Sequence, residues 1–402
     1  MSPDFDQYVR ALARLAVRFG ANVQPGQIVA LGSEPGKEDI TRAIAEEAYS
    51  AGAKFVDLTV FDVYLKRARA LHADRQTLGY VPPWFGQRML ALGEHHAARI
   101  GLSGPVAPRA LDGIDPELIG LDMLPRLPES MILVNERTTN WTIVPAPSPG
   151  WATLVHPRLE PPAALERLWG EVAHVCRLDE PDPVAAWTER LDALKRVAAR
   201  LTELRLDALH FEGPGTDLTV GLLGSSRWIA ADFETADGLV HHPNIPSEEV
   251  FTTPDPARTN GTVTATKPLF TSGTTISGLR VRFEDGRAVQ IDADEGADVV
   301  RGLIERDGGA PRLGEVALVD REGRIGPLGT VFFDTLLDEN AASHLALGAA
   351  YRMGVEAEDD ANRINTSAIH VDFMVGSNDV AVTGVTAAGD QVPLLRAGSW
   401  QI

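Results

Sequence analysis

One cysteine in 402 residues, Cys176, excludes an intrachain disulfide framework and any thiolate cage for a metal. Basic side chains are also in the minority: 37 Lys and Arg stand against 56 Asp and Glu, a formal charge of −19. That balance speaks against a nucleic-acid or anionic-membrane partner, whose phosphates it would repel, and suits cationic ligands such as metal ions or free amino groups. No apolar run approaches the roughly 20 residues that span a bilayer. The opening Met1-Ser-Pro-Asp-Phe-Asp6 is acidic and unlike a leader peptide. A reducing cytoplasm is the expected address. Internal repeats and low-complexity tracts are absent too. Gly32-Ser-Glu-Pro-Gly36 fits neither G-x-G-x-x-G nor a Walker loop, and Glu34 would repel a phosphate, so it reads as a plain connection.

What is present is an ordinary globular composition, 44% hydrophobic and 23% charged, in a chain long enough for two cores. Ser2-Pro3 reads as an N-cap and first helical residue, and Tyr8, Leu12, Leu15, Ala16 and Phe19 follow at helical spacing up to Gly20. A strand over 27–31, a helix over 38–50 and a strand over 54–60 make a β-α-β unit, hence parallel strands. Residues 66–96 read as mostly helical with a break at Pro82-Pro83, and His95-His96 as surface histidines. Met131-Ile-Leu-Val134 reads as a buried strand, and the stretch 137–151 as an aromatic connection or a cleft wall. Helices over 162–176 and 183–201 lead to a change of texture near Leu201. Beyond it come short strands, hairpins at Gly213-Pro-Gly215 and Asp285-Gly286, a helix over 295–305 and a strand over 314–319.

Four places in this second half carry chemistry. Glu248 and Glu249 precede an apolar pair in Ile245-Pro-Ser-Glu-Glu-Val-Phe251. Glu315 opens a strand that is otherwise apolar, on the face of Ala317 and Val319, where an unpaired carboxylate is costly and calls for a cation. His344 and Tyr351 are seven residues apart, which on a helix brings them to one face. His370 and Asp372, in Ile369-His-Val-Asp-Phe-Met374, share one face of a strand. Singly, each is more economically a structural residue: a core histidine, a packing aromatic, a solvated glutamate. Together, three carboxylates and two imidazoles without cysteine form a nitrogen and oxygen ligand set suited to zinc, cobalt or manganese. They are numerous enough for two ions sharing a carboxylate.

These stretches resemble the aminopeptidase T and aminopeptidase S family of metallo-aminopeptidases, over nearly the whole chain. The resemblance rests on Ala21-Asn-Val-Gln-Pro-Gly-Gln-Ile-Val29, Glu47-Ala-Tyr-Ser-Ala-Gly-Ala-Lys54, Trp151-Ala152, Gly215-Thr-Asp-Leu218, Ile245-Pro-Ser-Glu-Glu-Val-Phe-Thr252, Leu337-Asp-Glu-Asn-Ala-Ala-Ser-His344 and Ile369-His-Val-Asp-Phe-Met374. Ser247 stands where the family usually has threonine, which keeps the hydroxyl. The resemblance implies metal ligands at Glu249, Glu315, His344, His370 and Asp372, with Tyr351 beside the metals.

The expectation is therefore an α/β N-terminal domain with parallel strands (1–201, access and dimerisation) followed by an α+β metal-binding catalytic domain (202–402). Two divalent ions would polarise the scissile carbonyl of short peptides with a free N-terminus and activate a bridging water. Glu249, Glu315 and Tyr351 are the expected catalytic residues, Tyr351 as donor to the developing oxyanion. Which carboxylate bridges, and whether Glu248 or Glu249 moves protons, stays open at this level, and Lys267 is a possible substrate contact. The resemblance further implies a homodimer. Two other readings stand beside it: a non-haem iron ring-opening dioxygenase using His344, His370 and Asp372, and a metal-stabilised binding protein without activity.

Overall fold

A computed structural model describes residues 3–122, 124–125, 127–230, 232–271 and 274–402. Two compact units divide the chain: Met1–Thr188 with Asp232–Pro246, and Glu189–Ala231 with Ser247–Ile402. The expected N-cap Ser2 lies outside the described residues; the first helix runs Pro3–Leu15 and ends in a π-helical turn at Ala16–Gly20.

In the first unit, strands β1 (Ile28–Ser33), β2 (Phe55–Val60), β3 (Ala98–Ser103) and β4 (Trp141–Pro145) form a parallel sheet in the order β2-β1-β3-β4. The crossover helix Glu38–Ser50 carries Glu38 and Asp39 in its first turn, where they meet the positive end of the helix dipole. It buries Ile40, Ile44 and Ala48 at four-residue spacing. The connection after β1 is closed by its own chain: Lys37 Nζ donates to the carbonyls of Leu102 (3.2 Å) and Ser103 (3.0 Å) and to Glu34 Oε1 (3.1 Å).

Two sequence expectations change here. Met131–Val134 belongs to a helix, Glu129–Asn135, that buries only Leu133, while Met131 and Ile132 stay about two-fifths exposed (43% and 41%). A short apolar run has no periodicity to separate strand from helix, and Pro128 and Glu129 supply a helix start. The aromatic stretch 137–151 is a packed connection holding β4 and the start of the helix Pro149–Val155, with Trp151 fully buried.

The second unit is dominated by antiparallel pairing. One eight-stranded sheet runs, edge to edge, through Arg287–Asp292, Arg280–Glu284, Pro254–Thr264, Thr216–Leu222, Leu206–Gly213, Ala381–Thr386, Gln391–Arg396 and Ser399–Trp400. Two of its hairpins use the turns read from sequence, Gly213-Pro-Gly215 and Asp285-Gly286. Asp285 and Gly286 both take positive φ (48° and 78°), as a type I′ turn demands. A second sheet carries the chemistry. Its strands are β5 (Ile229–Ala230), β6 (Glu249–Thr252), β7 (Leu313–Val319), β8 (His344–Gly348) and β9 (His370–Met374), in the order β9-β8-β7-β6-β5. β7 is buried along its whole length, so the middle of this sheet is core on both faces.

Candidate metal centre

Side chains two apart on a strand share a face, and cross-strand partners extend that face over the sheet. Glu315 on β7 pairs with Ala346 on β8, and Ala346 pairs in turn with Asp372 on β9. His344 and Gly348 flank Ala346 on the same face; their partners are Ala317 on β7 and His370 on β9, respectively. Glu249 on β6 pairs with Val319, again on this face. The register thus gathers Glu249, Glu315, His344, His370 and Asp372, and the small Ala346 and Gly348 leave a hollow between them.

Their ligand atoms fall into two triads within 4.8 Å: Glu249, Glu315 and His344, and Glu315, His370 and Asp372. Glu315 belongs to both. Its Oε1 lies 3.8 Å from His344 Nε2 and its Oε2 3.5 Å from His370 Nε2. His344 Nε2 is 3.1 Å from Glu249 Oε2, and His370 Nε2 is 3.4 Å from Asp372 Oδ1. Each ring is turned by its other nitrogen: Nδ1 of His344 meets the Ala342 carbonyl at 3.2 Å, and Nδ1 of His370 the Ala349 carbonyl at 2.8 Å. A backbone carbonyl on Nδ1 fixes the tautomer whose Nε2 lone pair is free for a metal.

The electrostatics match a site built around positive charge. Burial opposes a charged imidazole, yet Asp372 and Glu315 outweigh it and hold His370 at about 9; Glu249 and Glu315 hold His344 well above its usual range. Burial and the neighbouring carboxylates push the Glu315 carboxyl up. Asp372 is pulled down: burial works against its charge, and the two histidines prevail. Without a metal, the cluster retains protons where cations would sit. Glu249 Oε2 is buried with His344 Nε2 as its close partner at 3.1 Å, so a carboxylate oxygen and an imidazole nitrogen converge where an ion would sit. The donor set, carboxylate oxygens and imidazole nitrogens in two triads, fits divalent ions.

Tyr351 reaches the same place by another route than expected. His344 and Tyr351 do not share a helix. His-Leu-Ala-Leu-Gly alternates as a strand, and Gly348 at φ 103° ends it. The chain then turns back, and the Tyr351 ring stands 5.4 Å from His370 and 5.8 Å from Phe251, centroid to centroid. Burial, then Glu315 and Asp372, hold its hydroxyl well above the usual tyrosine range, so it stays a donor.

Of the adjacent glutamates, only Glu249 joins the cluster. Glu248 is fully buried against Arg190, whose Nε donates to it at 2.5 Å, and its backbone N–H donates to Asn340 Oδ1 at 2.7 Å. One carboxylate was missed by sequence reasoning. Glu339, half-buried at the end of the helix Thr335–Glu339, is raised well above the usual carboxylate range, first by burial and then by Asp372 and Glu249. Its position five residues before His344 in a quoted stretch was the available signal. Lys267 is half-buried, and its charge acts on the buried Asp338 carboxylate.

The family described as thermophilic metalloprotease (M29) matches residues 5–400. Aminopeptidase T of Thermus aquaticus is 41% identical over 406 residues, covering 99% of each chain. Among solved structures, wild-type AmpT from Thermus thermophilus is similar with a TM-score of 0.92 at 40% identity, covering 99% of this chain and 100% of that one. The structure of 2,5-dihydroxypyridine dioxygenase from Pseudomonas putida is similar in fold, with a TM-score of 0.53 at 15% identity, covering 98% of this chain and 96% of that one.

Proposed function

The chain belongs to the thermophilic metalloprotease (M29) family and is a metallo-aminopeptidase, a hydrolase of peptide bonds; from that premise we propose that it removes the N-terminal residue of short peptides at a two-metal site. The observation that carries the two-metal reading is the sharing of Glu315 between the triads, one carboxylate oxygen toward each histidine. Glu249, Glu315 and His344 would hold one ion, and Glu315, His370 and Asp372 the other, with zinc, cobalt or manganese as candidates. When bound, such ions supply Lewis-acid polarisation of a carbonyl and a water acidified toward neutral pH.

The remaining work falls to the chain. Ala342 and Ala349 hold the two imidazoles in orientation through their carbonyls. The Tyr351 hydroxyl donates to the oxygen that gains charge as the peptide carbonyl is attacked. Glu339, the further carboxyl beside Asp372 and Glu249, would in its ionised form take a proton from water and return it to the departing amine. Catalysis is assigned to 202–402, and subunit association to 1–201. A homodimer is supported by the exposed apolar side chains of β2 and the helix after it, among them Phe55, Val60, Tyr64 and Leu65. No helix among the described residues is long and apolar enough to cross a membrane. We place the enzyme in the cytoplasm, on its lone buried cysteine.

A dioxygenase would need His344, His370 and Asp372 around a single iron. The two histidines fall in different triads, and one iron would leave two buried glutamates without a counter-charge. Metal analysis of protein purified without added metal, paired with release of leucine from leucyl arylamides, tests the proposal. About two divalent ions per chain and chelator-sensitive release are expected. One iron per chain with no peptide hydrolysis sinks it; full metal loading with no hydrolysis of any peptide leaves a binding protein.

A further inference from the structure

Phe333 adopts a left-handed backbone, φ 54°, which a bulky residue takes up only when its surroundings impose it. The imposing group is Asp338. Its buried carboxylate accepts the N–H of Phe332 on Oδ1 (2.8 Å) and that of Asp334 on Oδ2 (3.1 Å), bracketing Phe333 from both sides. Asp334 in turn caps the helix Thr335–Glu339 through Leu337 N–H at 3.3 Å. Phe332 is fully buried, so the core takes that ring and the turn presents the next one outward.

The Phe333 ring is only half-buried, and its packing partner, Phe270, is half-buried too. They meet edge to face at 6.4 Å and 88°. The elements that carry or adjoin them pack against β9, the strand of two candidate metal ligands. The helix that follows Phe333 ends in Glu339 and packs on β9, the strand of His370 and Asp372. The short strand carrying Phe270, Leu269–Thr271, packs on the same β9. Thr266 ties its approach to the end of that strand, N–H to the Met374 carbonyl at 2.8 Å and Oγ1 to the Gly376 carbonyl at 2.7 Å.

An aromatic pair kept out of the core by a braced, left-handed turn, on or next to elements packed against the strand of His370 and Asp372, has the form of an apolar subsite. We propose that Phe333 and Phe270 receive the side chain of the substrate's N-terminal residue and select for large apolar residues, leucyl or phenylalanyl, over alanyl or glycyl. This rests on the aminopeptidase reading and adds its specificity. In a pocket of this kind each methylene changes kcat/KM by about tenfold or more, which sets the size of the expected effect.

The test compares metal-loaded wild type with Phe333→Ala on leucyl, phenylalanyl, alanyl and glycyl arylamides. Phe333→Ala should lower kcat/KM for the leucyl and phenylalanyl substrates about tenfold or more, mostly through KM, with the alanyl and glycyl values little changed. Phe270→Ala, which leaves the turn intact, should give the same pattern and serves if Phe333→Ala fails to fold. Wild type that cleaves all four while the variants keep its leucyl-to-alanyl ratio overturns the subsite alone. An equal loss on every substrate does so as well. Wild type that cleaves none of them overturns the aminopeptidase reading itself.

Discussion

Arg190 holds Glu248 in a buried ion pair, Nε to Oε2 at 2.5 Å, and turns to Asp320 with its other end, Nη2 to Oδ1 at 2.7 Å. Burial works against the guanidinium's charge, but Glu248 and Asp320 outweigh it and raise its pKa. Glu248 is thereby committed to structure, and Glu249, the next residue, is the one that faces His344. Breaking a buried pair from one side costs about 3–5 kcal/mol, because the other charge is left behind. Glu248→Ala should therefore lower the melting temperature sharply while the folded fraction keeps its metal content. Glu249→Ala should do the reverse, losing metal with a smaller thermal penalty to the metal-free chain. Calorimetry with metal analysis on both variants checks the division, and equal metal loss in the two would refute it.

How much of this was legible beforehand follows from which contacts were local. The period of two in Ile369–Met374 put His370 and Asp372 on one face, and the apolar run after Glu315 made that carboxylate stand out. Asp285-Gly286 fixed a hairpin by its own backbone needs. Convergence was another matter. The meeting of Glu315 with Asp372 depends on the register of β7, β8 and β9, with Ala346 as the spacer, and no stretch of sequence states which strands pair. The seven-residue spacing of His344 and Tyr351 predicts one helix face, whereas a strand and a turn at Gly348 carry Tyr351 to His370. Glu339 carries no such local mark, because its surroundings, not its neighbours in sequence, make it unusual.

Tyr351 offers a test of oxyanion stabilisation that leaves the metals alone. Its hydroxyl stays protonated beside Glu315 and Asp372, and its ring is supported by Phe251. Removing one donor to a developing oxyanion costs about 10²–10³ in kcat. Tyr351→Phe should lose that much, with KM and metal stoichiometry nearly unchanged. A fall in bound metal would make Tyr351 a ligand instead.

Metal loading should be read in protons. In the metal-free chain burial opposes both charged rings, but Asp372 and Glu315 keep His370 protonated up to about 9, and Glu249 and Glu315 raise His344 well above its usual range. A metal needs both Nε2 lone pairs, so binding near pH 8 must expel protons, about one to two per chain. Calorimetric titration in two buffers of different ionisation enthalpy measures that number. Apparent affinity should fall as pH falls, and loading without proton release would remove the histidines from the ligand set.

The first unit carries a separate response to acid. His241, on the short strand Val240–His241, is 2% exposed, its ring 6.3 Å from Trp141 and 6.2 Å from Phe233. Burial drives its pKa down to about 4; the Leu239 carbonyl pulls the other way, His242 adds to the depression, and Asp232 opposes it. An unfolded histidine titrates near 6.5. The stability that comes from keeping His241 neutral is thus complete above that value, and it drains away as pH falls from there toward 4. Replacing His241 by Phe keeps a ring among rings and removes the titration. Between pH 7.5 and pH 5 the wild type should lose about 2 kcal/mol relative to His241→Phe. The metal centre and the other carboxylates are common to both chains and cancel in the comparison. Denaturant melts of the two proteins at each pH supply the four free energies, and parallel losses would show that His241 titrates in the fold as it does in water.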